Sequence, residues 1–359
     1  MRYANTPHYE LQGVNAAGLE KLRDSRFEWR VERMKAQRLA HLYDLAGYPD
    51  YADRVEGCTT WLRFGVAGGR RSLLSANFCK LRLCPVCIAR GAIVRAKLLS
   101  KVMDAVQAEH KCQYIFVTLT IQNVPGDKLR EAMGQLTKGW ARLMNHRPVE
   151  RAIKGWFRAI EITRNNDPKS KSFGTYHPHI HAIFAVEDGY FEKKNRLYLT
   201  HADLVAHWRQ AMRLSYDPSV RVSKTYDKKR KGSKVYSDDS ASSGAVLEAA
   251  KYATKDSDYI SDSLSDDEAA QVVRDYTRAL FKRRLTAFGG WLKETAARLQ
   301  VPELDNVDPA DGEDRIREDL AEMIEEYGWH FGAGDYVLAR RFVNPLRLKR
   351  REENGDGDG

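Results

Sequence analysis

The sequence predicts an α+β protein in which a central sheet domain lies between helical flanks. Runs rich in β-branched and aromatic residues recur between residues 113 and 226, and segments with helical apolar spacing separate them. Three cysteines lie close together at 79, 84 and 87, ahead of the first such run, which indicates a small separate segment. The length of 359 residues allows one large or two ordinary domains with a real hydrophobic core.

Apolar residues at three- and four-residue spacing among charged residues predict the helices. The predicted helical ranges, in chain order, are 16–47 (one or two helices), 89–110, 127–145, 200–214 with Thr200 as its cap, 245–256 and about 266–299.

The strands are predicted where β-rich runs are bounded by turn residues. They cover 113–121, 155–163, 176–186 and 219–226. Outside the sheet, the sequence predicts cysteine-bearing turns from Cys58 to Cys87, an exposed basic and serine-rich loop at 227–244, and a solvated acidic helix at 303–326.

The charge balance favours a polyanionic partner. The chain has 59 Lys and Arg against 49 Asp and Glu, a net charge of +10, so nucleic acid is the first candidate and an ordinary basic enzyme the alternative. The start "MRYANTPHYELQG" lacks the apolar region of a secretory signal, and no apolar stretch is long enough to span a bilayer. We therefore expect a cytoplasmic protein with no membrane partner, whose five cysteines stay reduced.

The stretch "YHPHIHAIFAV" places two histidines on one face of a predicted strand. Side chains alternate along a strand, so His179 and His181 share a face and their Cα atoms lie roughly 6–7 Å apart. Two imidazoles at that separation can bind one ion, although a pair of surface histidines is the alternative. In "RAIEIT", Glu161 interrupts an apolar strand in the same way, as a third ligand or an outward-facing charge. Such N and O ligands suit Mg²⁺ or Mn²⁺.

The predicted helix "EAAKYATK" gathers a carboxylate, a phenol and an ammonium on one turn. Glu248 and Tyr252 are four residues apart, as are Lys251 and Lys255. A tyrosine can act as a covalent nucleophile, but a phenol with a pKa of about 10 needs help from a metal and a lysine. The alternative is an amphipathic surface helix with a core-facing tyrosine and ordinary ion pairs.

The run "CKLRLCPVC" predicts a structural zinc site. Cys79, Cys84 and Cys87 have knuckle spacing, and Cys58 upstream can complete a tetrahedron. Plain reduced cysteines or a redox pair are the alternatives, and Cys112 is expected in the core.

Two groups of basic residues are candidates for DNA binding, with a solvated charged surface as the alternative for any one of them. They are Arg63, Arg70, Arg71, Lys80 and Arg82 around the cysteines, and Lys228, Lys229, Arg230 and Lys231, with Lys224 and Lys234, in the basic loop.

Three short motifs, "FVTLT", "HPHIHAIF" and "EAAKYATK", occur in the order found in plasmid rolling-circle replication initiators. The chain resembles these members of the HUH endonuclease superfamily over roughly residues 79–295, with "CPVC" before the first motif and "TAFGGWLKE" after the third. The tyrosine follows the histidine motif, whereas in relaxases it precedes it. The resemblance implies an antiparallel HUH-nuclease sheet with helices packed on it.

The resemblance also implies roles for the site residues. A divalent ion held by His179 and His181, completed by Glu161, would grip a phosphate of unpaired DNA, and Tyr252 would attack it. The products would be a 5′-phosphotyrosine and a free 3′ hydroxyl, and Glu248 would activate a water for the second cleavage at termination. Thr118 and Thr120 would line the site, and His177 would support it without ligating. Lys255 would assist catalysis, and Lys251 would contact DNA.

The partners implied are plasmid origin DNA, single-stranded at the nick and duplex nearby, with a host helicase and polymerase. Alternatives are a zinc-containing DNA-binding regulator without catalysis and a single-tyrosine transposase of the same superfamily. The predicted regions are an N-terminal helical region (1–57), a zinc-binding segment with a helix (58–110), the HUH endonuclease core (111–260), a C-terminal helical part of the nuclease domain (261–300), and an acidic segment with a basic tail (301–359).

Overall fold

The computed structural model of the chain describes residues 19–192, 196–224, 246, 254–311 and 317–347. The chain divides into two compact units: Met1–Arg90 with Asp308–Gly359, and Gly91–Val307. The described parts of both chain ends thus belong to one unit. Among the described residues, no helix combines the length and apolarity that crossing a bilayer requires.

Helices and antiparallel sheets together confirm the predicted α+β class. The helices are α1 (Trp29–Leu45), α2 (Pro49–Glu56), α3 (Pro85–His110), α4 (Gly126–Met144), α5 (Arg147–Ala152), α6 (His201–Met212), α7 (Asp266–Leu280) and α8 (Gly290–Arg298). The strands are β1 (Trp61–Ala67), β2 (Arg70–Ala76), β3 (Gln113–Thr120), β4 (Gly155–Arg164), β5 (Tyr176–Val186), β6 (Val220–Lys224), β7 (Thr286–Gly289), β8 (Met323–His330) and β9 (Asp335–Val343). The predicted cap of α6 is present, because Thr200 and Asp203 form a reciprocal capping box.

In the unit Gly91–Val307, five described strands form a sheet in the order β6-β3-β5-β4-β7, and every neighbouring pair is antiparallel. The four strands predicted from sequence occupy its first four places. The face that carries Phe157 and Ile183 packs in one apolar cluster with Leu99 of α3 and Leu292 of α8. On the opposite face, Phe184 lies 5.9 Å from Trp140 of α4, measured between ring centres. Helices therefore cover both faces of this sheet.

The prediction of continuous helix over 266–299 was wrong between α7 and α8, where β7 pairs with β4. The glycines of "TAFGG" explain the difference. A Cβ on Gly289 would lie 2.1 Å from the Trp156 side chain of the neighbouring strand, and Gly290 has a φ of +52°. Because both positions are glycine, the chain can run close along β4 and then turn into α8.

The unit Met1–Arg90 with Asp308–Gly359 contains a second antiparallel sheet, in the order β2-β1-β8-β9. The prediction of turns from Cys58 to Cys87 was wrong over β1 and β2, and that of an acidic helix over 303–326 was wrong where β8 begins. Gly68 and Gly69 both have positive φ, as a two-residue hairpin turn between β1 and β2 requires. The acidic Glu325 fits a buried strand position because Arg71 and Arg341 lie 2.8 Å and 2.9 Å from its carboxylate oxygens.

The first predicted helix, at 16–47, begins only at Trp29. Before it, Lys21 forms a bridge with Val337 of β9, in the same unit. The apolar residues Leu19 and Leu22 therefore belong to a sheet edge instead of a helix.

Candidate metal centres

The register of the central sheet brings the predicted ligands together. His179 of β5 lies opposite Glu161 of β4 on one side and opposite Thr120 of β3 on the other. His181 lies opposite Thr118. Side chains of directly opposed residues share a face, so all five project from the same face around the middle strand.

The three candidate ligands form a close, buried cluster. The Nε2 atom of His181 lies 2.8 Å from Glu161 Oε2, and that of His179 lies 3.6 Å from the same oxygen. The two Nε2 atoms are 3.1 Å apart. All three side chains have one ligand atom within 4.8 Å of the others. Their residues are only 4–7% exposed, so the surrounding chain fixes their positions.

Neighbouring groups orient both imidazoles. His179 Nδ1 lies 3.0 Å from the carbonyl oxygen of His177, which can only accept, so Nδ1 carries the proton and Nε2 offers its lone pair. His181 Nδ1 lies 3.2 Å from the Thr118 hydroxyl, and the Phe116 ring stacks on this imidazole. A hydroxyl both donates and accepts, so either tautomer of His181 is satisfied.

His177 contacts the histidine pair through its backbone carbonyl. Its own ring lies 5.2 Å from the ring of His179, and burial, followed by the charge of His179, lowers its pKa. The ring of His177 therefore stays neutral beside the cluster at neutral pH.

The charge on Glu161 suits a cation. Burial alone would raise the pKa of this carboxyl, but hydrogen bonds and charge from His179 and His181 outweigh burial and hold the pKa well below its usual range. Lys255 Nζ also lies 3.6 Å from Glu161 Oε1. An ionised carboxylate beside two imidazole nitrogens is a donor set that can hold a divalent metal ion.

A buried aspartate that the sequence analysis missed fastens the turn after Lys255 to the sheet. Asp258 accepts hydrogen bonds from the Arg164 backbone N–H at the end of β4 and from the Tyr276 hydroxyl of α7. Burial raises its pKa to about 6. The sequence "DSDY" has no periodicity that marks this residue as buried, so only the fold reveals its role.

Several predicted residues lie outside the described part of the chain. They are Tyr252, Glu248, Lys251, Lys228, Lys229, Arg230 and Lys231. The described residues on either side of 247–253 are Val246 and Thr254. Val246 is 1% exposed and belongs to the apolar cluster on the histidine face, and Lys255 contacts Glu161. The described residues Val246 and Lys255 thus both contact the face that carries the metal cluster.

The four predicted cysteines form a second cluster. The Sγ atom of Cys58 lies 3.8 Å from that of Cys87 and 3.6 Å from that of Cys84, and Cys79 Sγ lies 3.7 Å from Cys87 Sγ. A tetrahedron with Zn–S bonds of about 2.3 Å has S···S edges of about 3.8 Å. The cluster therefore has the dimensions of a four-thiolate zinc site.

Hydrogen bonding within the cysteine cluster favours thiolate formation at one position. Hydrogen bonds from Cys79, Cys84 and Cys87 lower the pKa of Cys58, whereas burial raises the pKa of Cys84. All of these cysteines are free thiols, and Cys112 lies apart in the apolar core as predicted.

Three of the basic residues predicted to surround the cysteines are paired with acidic residues of their own unit. Arg63 lies 2.6 Å from Glu318, and Lys80 lies 2.7 Å from Asp308. Arg71 belongs to the Glu325 pair described above. Their charge is therefore partly compensated, and Arg70, at the hairpin turn, is exposed.

Fold and clusters define an α+β protein with two candidate metal centres, one on a sheet face and one made of thiols. The family model described as "Replication protein" matches residues 70–337, which include Glu161, the histidine pair and three of the four clustered cysteines. The chain belongs to this family of plasmid replication initiators.

Curated relatives agree with this assignment. A "Protein rep" of Bacillus amyloliquefaciens is 30% identical over 327 residues, covering 87% of this chain and 94% of the relative. A "Protein rep" of Streptococcus pneumoniae serotype 2 is 32% identical over 283 residues, covering 78% and 82%. A "Replication protein" of Staphylococcus aureus is 30% identical over 233 residues, covering 64% and 92%. No solved structure matches the chain.

Proposed function

We propose that this replication protein is a metal-dependent origin nickase that starts rolling-circle replication of a plasmid. The observation that carries the proposal is the buried cluster of Glu161, His179 and His181, with Lys255 3.6 Å from Glu161. Lys255 is three residues beyond Tyr252 in the sequence. The candidate cation site is thus contacted by a residue that stands close to Tyr252 in the sequence, which supports the proposal.

The sheet would hold Mg²⁺ or Mn²⁺ through His179, His181 and Glu161. Once bound, the ion supplies Lewis-acid polarisation of a DNA phosphate. The chain's own groups orient the ligands and place charge near the phosphate. The His177 carbonyl and the Thr118 hydroxyl keep the imidazoles oriented, and Lys255 places a positive charge beside Glu161, where negative charge develops on the phosphate.

Tyr252 is the proposed nucleophile. The phenol loses its proton as its oxygen bonds to the phosphorus and the bond to the 3′ oxygen breaks, and the 3′ oxygen takes up one proton to become a free 3′ hydroxyl. The product is a 5′-phosphotyrosine diester, which keeps the phosphodiester for rejoining. Glu248, four residues earlier, is the proposed base that activates a water for the terminating cleavage.

We propose a structural zinc ion for Cys58, Cys79, Cys84 and Cys87. The S···S separations of 3.6–3.8 Å support this assignment. Such an ion would link the end of α2 to the segment that runs from β2 into the start of α3. It would therefore stabilise the fold of the unit that contains the four-stranded sheet.

Origin DNA is the proposed partner, unpaired at the nick and duplex nearby. Lys251, Lys228, Lys229, Arg230 and Lys231 are proposed to bind its phosphates, which predicts strongly salt-dependent affinity. A host polymerase would extend the 3′ hydroxyl, and a host helicase would separate the strands.

The decisive test is nicking of supercoiled plasmid carrying the origin. Tyr252→Phe should abolish nicking and leave DNA binding intact, whereas Tyr198→Phe, at a tyrosine 46% exposed in the same unit, should nick normally. Mass spectrometry after incubation with origin single strand and Mn²⁺ should find DNA attached to Tyr252. Normal nicking by Tyr252→Phe would refute the mechanism. DNA binding by the wild type without any nicking would instead indicate a non-catalytic regulator.

A further inference from the structure

The connection between β4 and β5 lies beside the metal cluster. It covers residues 165–175 and joins the strand that carries Glu161 to the strand that carries both histidines. Glu161 stands three residues before the end of β4, and His179 stands three residues after the start of β5. At about 3.3 Å per residue, the loop begins and ends roughly 10 Å from the cluster.

Hydrogen bonds within the loop hold it in one shape. The Asn165 side-chain amide donates to the hydroxyls of Ser170 and Ser172, at 2.8 Å and 2.7 Å. The backbone N–H of Gly174 donates to the Asn165 carbonyl, and Gly174 has a φ of +76°. Asn166 Nδ2 also donates to the carbonyl of Ser257, in the turn that follows Lys255. The loop is thus preorganised and fastened to the segment that contacts Glu161.

This rigid loop presents an aromatic ring and two ammonium groups to solvent. Phe173 is 42% exposed, and the Arg164 guanidinium lies 5.7 Å from its ring centre, which supports the ring from one side. Lys169 and Lys171 are both exposed, and neither forms an ion pair with a described residue. The one acidic side chain of the loop, Asp167, accepts a hydrogen bond from the Lys169 backbone N–H. Positive charge and an accessible ring therefore stand together next to the cluster.

We propose that this loop binds the unpaired DNA strand next to the scissile phosphate, with one base stacked on Phe173 and the adjoining phosphates on Lys169 and Lys171. This inference rests on the proposed function, because it assumes that the cluster acts on a DNA strand. Stacking on an aromatic ring needs a base free of its partner, so the loop selects single-stranded over duplex DNA. Every base has an aromatic face, and the loop therefore contributes affinity and register without reading sequence.

The test is equilibrium binding of a fluorescent oligonucleotide of about twenty thymidines, measured by anisotropy in EDTA so that no cleavage occurs. Phe173→Ala should weaken binding about tenfold, which corresponds to about 1.4 kcal/mol. Phe173→Trp should restore wild-type binding, because it offers a larger ring. Lys169→Ala with Lys171→Ala should weaken binding and flatten the salt dependence.

Phe281→Ala is the matched control. That ring is 50% exposed and has the Lys282 ammonium 5.3 Å from its centre, but it follows α7 instead of joining the ligand strands. It should bind the oligonucleotide like the wild type. A duplex of the same length should show little difference between Phe173→Ala and wild type.

Wild-type affinity of Phe173→Ala for the oligonucleotide, or equal losses for the single strand and the duplex, would overturn the inference. Failure of this inference is distinguishable from failure of the proposed function. If Phe173→Ala binds normally while the wild type nicks through Tyr252, only the loop assignment is wrong. If Phe173→Ala loses single-strand binding while Tyr252→Phe still nicks, only the nucleophile is wrong.

Discussion

Asp258→Asn should stabilise the protein at alkaline pH relative to acidic pH. The Asp258 side chain is buried, with the residue only 5% exposed, and it accepts hydrogen bonds from the Arg164 N–H and the Tyr276 hydroxyl through one oxygen, Oδ2. Burial raises its pKa from the ordinary 3.8 to about 6, although these hydrogen bonds and the charge of Lys255 act in the opposite direction. The folded state therefore holds the proton more tightly than the unfolded chain does.

Because the folded state binds this proton more tightly, the wild type loses stability as the pH rises. The neutral acid's contribution to stability is complete below the unfolded pKa of 3.8 and is lost as the pH rises through the folded pKa of about 6. A shift of about two pKa units corresponds to about 3 kcal/mol, of which about 2 kcal/mol is lost between about pH 4.5 and pH 8. An asparagine oxygen can accept the same two hydrogen bonds without a charge, so the variant escapes this loss. Any fixed cost of burying its amide group is the same at both pH values.

The assay is urea unfolding of wild type and Asp258→Asn across this pH range. The free energy of unfolding of the variant minus that of wild type should become more positive by about 2 kcal/mol from about pH 4.5 to pH 8. Asp262→Asn, at an exposed aspartate a few residues on, controls for the loss of one negative charge. Parallel pH profiles for wild type and Asp258→Asn would refute the assignment of a raised pKa to this residue.

Three further predictions concern the two metal centres. Glu161→Gln should reduce Mn²⁺ affinity at least about tenfold by calorimetry without loss of helical circular dichroism, because the buried carboxylate supplies the negative charge of the site; Glu150→Gln, at an exposed glutamate, should bind normally. Thr118→Val should weaken Mn²⁺ binding about tenfold, because it removes the hydroxyl 3.2 Å from His181 Nδ1. Unchanged affinity would show that this hydroxyl does not support the metal site. Cys84→Ala should lose bound zinc and Cys112→Ala should retain it, measured by elemental analysis of the purified proteins. Cys84→Ala should also unfold at a lower urea concentration than wild type.

The central sheet could be predicted because the local composition of each of its first four strands is typical of a β-strand. Runs such as "QYIFVTLTI" and "YHPHIHAIFAV" are rich in β-branched and aromatic residues and are bounded by turn residues, and β3 and β5 occupy nearly the same ranges. The alternation of side chains alone placed His179 and His181 on one face. The neighbour of β5 on each side is set by the packing of the whole domain, so the contact of Glu161 with both histidines had to be inferred from chemistry.

The elements that were missed depend on partners far away in the sequence. β8 contains the buried Glu325, which is tolerated because Arg71 and Arg341 come from two other strands. The short β7 has four residues, and its pairing with β4 defines it better than its own composition does. The hairpin of β1 and β2 could have been predicted, since the pair Gly68 and Gly69 is a recognised signal of a two-residue hairpin turn.

The candidate metal ligands belong to the sheet, whereas the proposed nucleophile belongs to a later part of the chain. His179, His181 and Glu161 come from two adjacent strands, so the backbone hydrogen bonds of the sheet fix the distances among them. Lys255 reaches Glu161 from outside the sheet, on a turn fastened through Asp258 to the end of β4. Changes in the segment around Tyr252 should therefore alter the rate of nicking and leave Mn²⁺ affinity unchanged. In the proposed mechanism, one rigid site would serve both the first cleavage and the terminating one, because only the attacking group would differ between them.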